Sequence, residues 1–259
     1  GVPTQWKLVA DEAGFRDADF RSMRLILCGG APVPLSLLRI YQEKGVPFTA
    51  GYGLTEGGGF NMYLPPDRVV EKSGGYIPLL WNDARAVNAA GEVVSPGEIG
   101  EIILRGSVIM REYWNNPRAS EEAVRDDWLY TGDLARVDDE GYFFIVDRAK
   151  DMIVSGGLNI YPAEVENVIY SFPRVSQAAV IAVPHEVWGE MVLAVVVPKA
   201  GEKIEEEELK AFLRENLADY KCPKAVIFTE DLPMNTSGKV LKRALREKYA
   251  GRAEHFRSD

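Results

Sequence analysis

Arg24-Leu25-Ile26-Leu27-Cys28 is a short apolar run stopped by Gly29-Gly30, and it reads as a buried strand. Leu35, Leu38 and Tyr41 recur at helical spacing between Pro34 and Lys44, and Gly45 supplies a stop. Val46 to Ala50 is a second strand, ending in Gly51-Tyr52-Gly53. Strand, helix, strand in that order predicts a parallel βαβ unit, in which ligands bind at the carboxyl ends of the strands. Both glycine-rich stretches fall at such ends. The residues ahead of this unit show neither a helix cap nor a first strand. Gly1 is not a natural start, so the chain reads as a piece of a longer polypeptide.

From about Gly75 the rhythm shortens. Ala84 to Asn88, Gly100 to Arg105 and Gly141 to Val146 read as short strands, separated by turn signals at Ala90-Gly91, Pro96-Gly97 and Asp138 to Gly141. A small antiparallel sheet or partial barrel is expected. After Lys150 comes a third section. Met152 to Val154 is apolar and runs into Ser155-Gly156-Gly157. Pro162 to Tyr170 is a helix with proline in its first turn. Ala178 to Val183, Met191 to Pro198 and Ala225 to Phe228 are strands, and Glu205 to Asn216 and Val240 to Tyr249 are helices. This is a compact α+β domain of about 110 residues, a common domain size. Glu205 to Glu208 complement a helix dipole and read as a solvated face.

At 259 residues the chain can hold one large domain or two modest ones. A net charge of −9 argues against nucleic acid or an anionic membrane as the main partner. No apolar run reaches membrane-spanning length, and no signal peptide is visible. Cys28 and Cys222 form no metal spacing or disulfide framework, which places the protein in a reduced cytoplasm. His185 and His255 show no base or ligand pattern.

Four stretches carry chemistry: Gly51-Tyr52-Gly53-Leu54-Thr55-Glu56-Gly57; Tyr130-Thr131-Gly132-Asp133-Leu134; Asp147 through Glu166; and Asn235-Thr236-Ser237-Gly238-Lys239-Val240-Leu241-Lys242-Arg243. Taken singly, a Gly-Tyr-Gly loop is a turn and Thr-Gly-Asp suits many surface hairpins. In this order, with Gly29-Gly30-Ala31-Pro32 and Trp188-Gly189-Glu190, they resemble the adenylate-forming superfamily of acyl-CoA synthetases, luciferases and peptide-synthetase adenylation domains. The resemblance is nearest to fatty-acid or aromatic-acid CoA ligases and runs from about Met23 to Tyr249. It implies that ATP activates a carboxylate to an acyl-adenylate, and that CoA then displaces AMP.

The resemblance implies α/β and α+β architecture. Residues 1–149 would be the end of a large domain, with an α/β portion to about 74 and a β-rich, distorted-barrel portion over 75–149. Lys150 would be the hinge, and residues 151–259 a small mobile domain. Thr55 would meet a phosphate, Glu56 would hold Mg²⁺, and Tyr52, between Gly51 and Gly53, would face adenine. Gly29, Gly30 and Ala31 would lie beside adenine and the acyl group, and Asp133 and Arg148 on the ribose. Lys239 would be the adenylation lysine. Gly156 and Gly157 would line the CoA tunnel, and Lys221 and Lys224 could meet CoA phosphates. Gly57-Gly58-Gly59 would leave room beside the pocket.

Each residue has a plainer reading. Tyr52 can be a packed loop aromatic, and Thr55-Glu56 a helix cap with an acid in the first turn. Gly29-Gly30 can be a strand-to-loop turn, and Asp133 a hairpin turn residue. Arg148 can be in a surface ion pair, Lys150 a solvated lysine, and Gly156-Gly157 a βα turn. For Lys221 and Lys224 the plain surface reading is favoured, since some relatives carry arginine at Cys222.

The superfamily's Ser/Thr/Gly-rich phosphate loop ending in Pro-Lys-Gly is absent from the sequence, and no Gly-x-x-x-x-Gly-Lys-Ser/Thr replaces it. The chain alone is therefore expected to be inactive. The rivals to an acyl-CoA synthetase using ATP, Mg²⁺ and CoA are an acyl-carrier-protein or peptide-synthetase type enzyme, and a non-catalytic nucleotide- or partner-binding module.

Overall fold

The computed structural model describes residues 1–235 and 239–250, so Thr236-Ser237-Gly238 of the fourth motif and His255 lie outside the described residues. The chain divides into two compact units, Gly1–Ile145 and Val146–Asp259.

The first unit contains α1 (Pro3–Asp11), β1 (Ile26–Gly29), α2 (Leu35–Glu43), β2 (Phe48–Tyr52), β3 (Met62–Tyr63), β4 (Gly75–Pro78), β5 (Asn82–Val87), β6 (Ile99–Gly106), α3 (Pro117–Ala123), β7 (Val124–Arg125) and β8 (Trp128–Val137). β9 (Phe143–Arg148) crosses the boundary. The expected βαβ unit is present: β1 and β2 are parallel, in register from Ile26↔Phe48 to Gly29↔Gly51. α2 buries Leu37, Leu38 and Tyr41.

The structure refines three readings. The opening residues do form a helix, α1, which starts with proline at its first turn and has no side-chain cap bond. Gln5 Oε1 accepts from Val2 N–H at 3.1 Å, and packing adds to this: Trp6 meets Tyr41 and Phe48 edge-on, with ring centroids 5.9 and 6.3 Å apart. The Thr131-Gly132-Asp133 stretch is no hairpin turn but lies inside the ten-residue strand β8. And the β-rich portion, expected as an antiparallel sheet or partial barrel, is a sheet that does not close. Its strands continue those of the α/β portion in one nine-stranded sheet, ordered β1-β2-β3-β4-β9-β8-β6-β5 with β7 on β8, and this path does not close.

The second unit contains β10 (Ile153–Ser155), β11 (Leu158–Ile160), α4 (Pro162–Ser171), β12 (Val175–His185), β13 (Gly189–Pro198), α5 (Glu206–Asn216), β14 (Ala225–Phe228) and α6 (Lys242–Tyr249). The sheet runs β11-β10-β13-β12, with β14 parallel on β13. Successive residues of a strand face opposite sides, and here both sides are covered. Ala178, Val180, Val192, Ala194 and Val196 join the core under α4 and α5, which contribute Val165, Ile169, Leu209 and Leu213. Ala179, Ile181, Val183, Met191, Leu193 and Val195 join a second core with Leu245 and Tyr249 of α6. Double-sided burial is why Met191 to Val197 is apolar without alternation. Each such side chain contributes roughly 1.5–3 kcal/mol by leaving water.

Among the described residues no helix is long and apolar enough to cross a membrane.

Candidate active site

In the first unit the glycine-rich stretches sit side by side at the carboxyl ends of β1 and β2. Their glycines are used first by the fold itself. A Cβ on Gly29 would lie 2.9 Å from the Gly51 carbonyl oxygen. A Cβ on Gly51 would fall inside the Phe60 ring, and one on Gly53 against the Gly59 carbonyl. The turn after β2 is thereby folded tightly over its own backbone.

Tyr52 ends β2, and its hydroxyl donates to Asp133 Oδ2 at 2.7 Å. The two residues are 81 positions apart. A bulge in β8 aims Asp133. Glu101 and Ile103 of β6 pair with Leu134 and Tyr130, so three residues of β8 oppose one. Gly132 adopts φ +71°, and its N–H donates to Glu101 Oε1 at 2.9 Å. Thr131 Oγ1 donates to the Ile102 carbonyl at 2.8 Å and accepts from Asp133 N–H at 3.1 Å. Asp133 is buried.

Three residues beyond Tyr52, Thr55–Gly57 forms a single 3₁₀ turn. Thr55 lies inside that turn and is exposed, with no side-chain cap bond, so the helix-cap reading fails. Glu56 is half-buried, and Tyr113 Oη donates to its Oε1 at 2.8 Å. Burial, then the Glu56 carboxylate, pushes the Tyr113 phenol up. Gly57 leaves no room for a ligand, because a Cβ there would collide with the Asn61 amide.

The second unit brings two of the predicted stretches together. Gly156 (φ +56°) and Gly157 (φ +80°) are the two central residues of the β10–β11 hairpin, a ββ turn rather than a βα turn. Trp188-Gly189-Glu190 fastens this hairpin to β13. The Trp188 carbonyl accepts from Gly156 N–H at 3.0 Å, Gly189 pairs with Ser155, and Glu190 Oε2 accepts from Val154 N–H at 2.8 Å. The Trp188 ring stacks on His185 with centroids 4.4 Å apart, and Lys224 Nζ lies 5.3 Å from its centroid. Lys221 turns elsewhere, to Glu164 at 2.6 Å. Lys239 is exposed, on the loop ahead of α6. Its N–H donates to Asn235 Oδ1, and its carbonyl accepts from Asn235 N–H, both at 2.9 Å. Lys150 and Arg148 are exposed as well.

Comparison with known proteins decides the family. The AMP-binding enzyme model matches residues 1–114, and that of the AMP-binding enzyme C-terminal domain matches residues 164–239. The chain belongs to the AMP-binding, adenylate-forming enzymes. It is 48% identical over 250 residues to a feruloyl-CoA synthase of Amycolatopsis sp, covering 96% of this chain and 51% of that protein. It is 40% identical to a long-chain-fatty-acid–CoA ligase of Mycobacterium tuberculosis, covering 96% of this chain and 49% of that one. It is also similar to the solved O-succinylbenzoate coenzyme A synthetase of Bacillus subtilis in complex with ATP and magnesium ion. There the TM-score is 0.85 at 36% identity, over 95% of this chain and 50% of that one. The chain thus spans about half the length of the relatives it matches.

For an AMP-binding enzyme, the donor set suits magnesium held jointly with a nucleotide. Among the described residues no group of three or more His, Cys, Asp or Glu side chains is gathered for a metal. Mg²⁺ characteristically takes one or two carboxylates and completes its shell with phosphates and water. Glu56, whose Oε1 accepts from the neutral Tyr113 hydroxyl, meets that description. The cysteines are no nucleophiles: both are free and buried, and burial pushes the Cys28 thiol up to about 11.

Sequence reasoning missed Tyr113, Glu101 and the stacked His185. Tyr113 is 57 positions from Glu56 and sits in no motif that was singled out, so only the fold reveals it.

Proposed function

We propose that the protein carrying this chain is an AMP-forming acid–thiol ligase, an acyl-CoA synthetase of the reduced cytoplasm. The Tyr52–Asp133 pair beside the Thr55-Glu56 turn carries this reading. It gives one ledge an aromatic face, a buried carboxylate able to accept from a ribose diol, and a hydroxyl and carboxylate next to each other for the phosphates. In the first half-reaction a carboxylate oxygen attacks the α-phosphorus of ATP and the bond to pyrophosphate breaks. In the second the CoA sulfur attacks the acyl carbon and the bond to AMP breaks.

Two anions must meet in the first step, so charge has to be neutralised where it develops. Glu56 would hold Mg²⁺, which supplies that neutralisation on the phosphates when bound. Asp133 and Arg148 would hold the ribose, and Gly29, Gly30 and Ala31 would flank adenine and the acyl group. Lys239 would bridge carboxylate and α-phosphate as a mobile point charge. For the second step, Gly156-Gly157 would border the thiol arm, with Trp188 and Lys224 beside it. Lys150 would be the hinge between a large domain ending at 149 and a small domain from 151. The relatives' names support CoA as acceptor: all of those reported above are CoA synthetases or ligases.

The test is acid-dependent ATP–pyrophosphate exchange and CoA thioester formation by the full-length protein, with the 259-residue chain run alongside. The full-length protein should catalyse both, and the chain alone should read background for want of a phosphate loop. No exchange by the full-length protein would favour a binding module. Thioester on a carrier protein but not on CoA would favour the carrier-dependent rival.

A further inference from the structure

We infer that Tyr113 is a positioning residue for the Glu56 carboxylate, and through it for the magnesium that accompanies ATP; this rests on the reading of Glu56 as the metal ligand. A single 3₁₀ turn does not by itself fix a glutamate side chain, which has three rotatable bonds. The turn is instead held from outside by one segment. Met110 N–H donates to the Glu56 carbonyl at 2.7 Å, and three residues later Tyr113 Oη donates to Glu56 Oε1 at 2.8 Å. Backbone and side chain of the same residue are thus gripped together.

The gripping segment is itself anchored. Tyr113 N–H donates to Ser120 Oγ at 2.8 Å, and Ser120 Oγ donates to the Asn116 carbonyl at 2.8 Å. Asn116 caps α3 by accepting from Ala119 N–H at 3.2 Å. The phenol therefore hangs from the first turn of a helix. Its chemistry also fits the task. A lysine or arginine beside Glu56 would cancel the charge that a cation needs. A phenol hydroxyl orients the carboxylate through Oε1 without bringing a positive charge to it. Outer partners of metal-binding carboxylates typically govern affinity by about 10–100-fold.

The experiment uses the full-length protein with Mn²⁺ as the probe. Its binding in the presence of ATP is followed by electron paramagnetic resonance for wild type, Tyr113→Phe, Glu56→Gln and the double variant. Thermal melts run in parallel. Tyr113→Phe should melt as wild type does and bind Mn²⁺ with ATP about 10-fold more weakly. In the double variant it should add nothing to the loss from Glu56→Gln. If Glu56→Gln leaves binding unchanged, the assignment of Glu56 itself is wrong. If Glu56→Gln weakens binding and Tyr113→Phe does not, or if the two losses simply add, Tyr113 does not act through Glu56.

Discussion

Asn61 is fully buried, and its amide nitrogen donates to the Gly57 carbonyl at 2.6 Å. The same nitrogen faces Asn82 Oδ1 at 3.3 Å, and Asn82 Nδ2 donates to the Asn61 carbonyl at 2.9 Å. This side chain closes the turn that presents Thr55 and Glu56. Asn61→Ala leaves the buried Gly57 carbonyl without that donor, which typically costs about 1–3 kcal/mol. Urea unfolding should show a lowered midpoint at unchanged slope, and an unchanged midpoint would contradict the role. Nothing in the sequence singles Asn61 out, because its contact is a backbone carbonyl. Tyr52 and Asp133, in contrast, are legible as members of motifs. Their mutual hydrogen bond is not, since it depends on a bulge 81 positions away.

Gly156 and Gly157 form a turn in which both central residues have positive φ, the geometry that matches the twist of paired strands. Among the described residues nothing lies within 4 Å of a Cβ built on Gly157, so the Cβ itself meets backbone strain but no neighbour. Alanine and leucine at 157 should therefore destabilise alike, by roughly 1–2 kcal/mol. They should differ in chemistry if a thiol arm passes this turn. Gly157→Leu should slow thioester formation from supplied acyl-adenylate far more than Gly157→Ala does, and leave adenylation intact. Lys239→Ala should show the opposite pattern, losing about two to three orders of magnitude in adenylation. Single-turnover kinetics of the two half-reactions in the full-length protein checks this. Equal loss of both steps in Gly157→Leu and in Lys239→Ala would remove the division of labour between the two loops.

Across the first unit, Lys72 joins distant parts of the chain by pairing with Asp138 at 2.8 Å and Glu140 at 2.5 Å. Burial alone would push the Asp138 carboxyl up, but its bonds from Lys72, Tyr142 N–H and Glu140 N–H outweigh that and hold it below its ordinary value. Lys72 holds Glu140 low as well. A carboxylate depressed in the folded state stabilises above its unfolded pKa, and that stability is lost as pH falls through the folded value. The protein should therefore lose stability below about pH 4, the unfolded carboxylate range. Lys72→Met should flatten this dependence. Denaturant melts from pH 3 to pH 7 measure it, and parallel curves for the two proteins would show that the network carries none of the acid sensitivity.

The sequence by itself determined the parallel βαβ start, the helices and the long strands of the second unit but not β11, and the family. These follow from local information: apolar period, glycine and proline punctuation, and motif order. Helix α1 and strand β8 were not legible, because one has an apolar N-cap residue, Val2, and the other hides its glycine bulge inside a strand. The choice between an antiparallel sheet and a partial barrel stayed open for a related reason. Strand periodicity says which face is buried and says nothing about which edges pair, so only the fold shows β4 running from β3 to β9 in one open sheet. The same limit holds at the candidate site. Residue types announced an aromatic, a buried acid and a carboxylate. The tertiary structure alone decided that Tyr52 meets Asp133, that Tyr113 meets Glu56, and that Trp188 to Glu190 clasp the Gly156-Gly157 turn. Hydrogen bonds between residues far apart in sequence leave no periodic trace along a single chain.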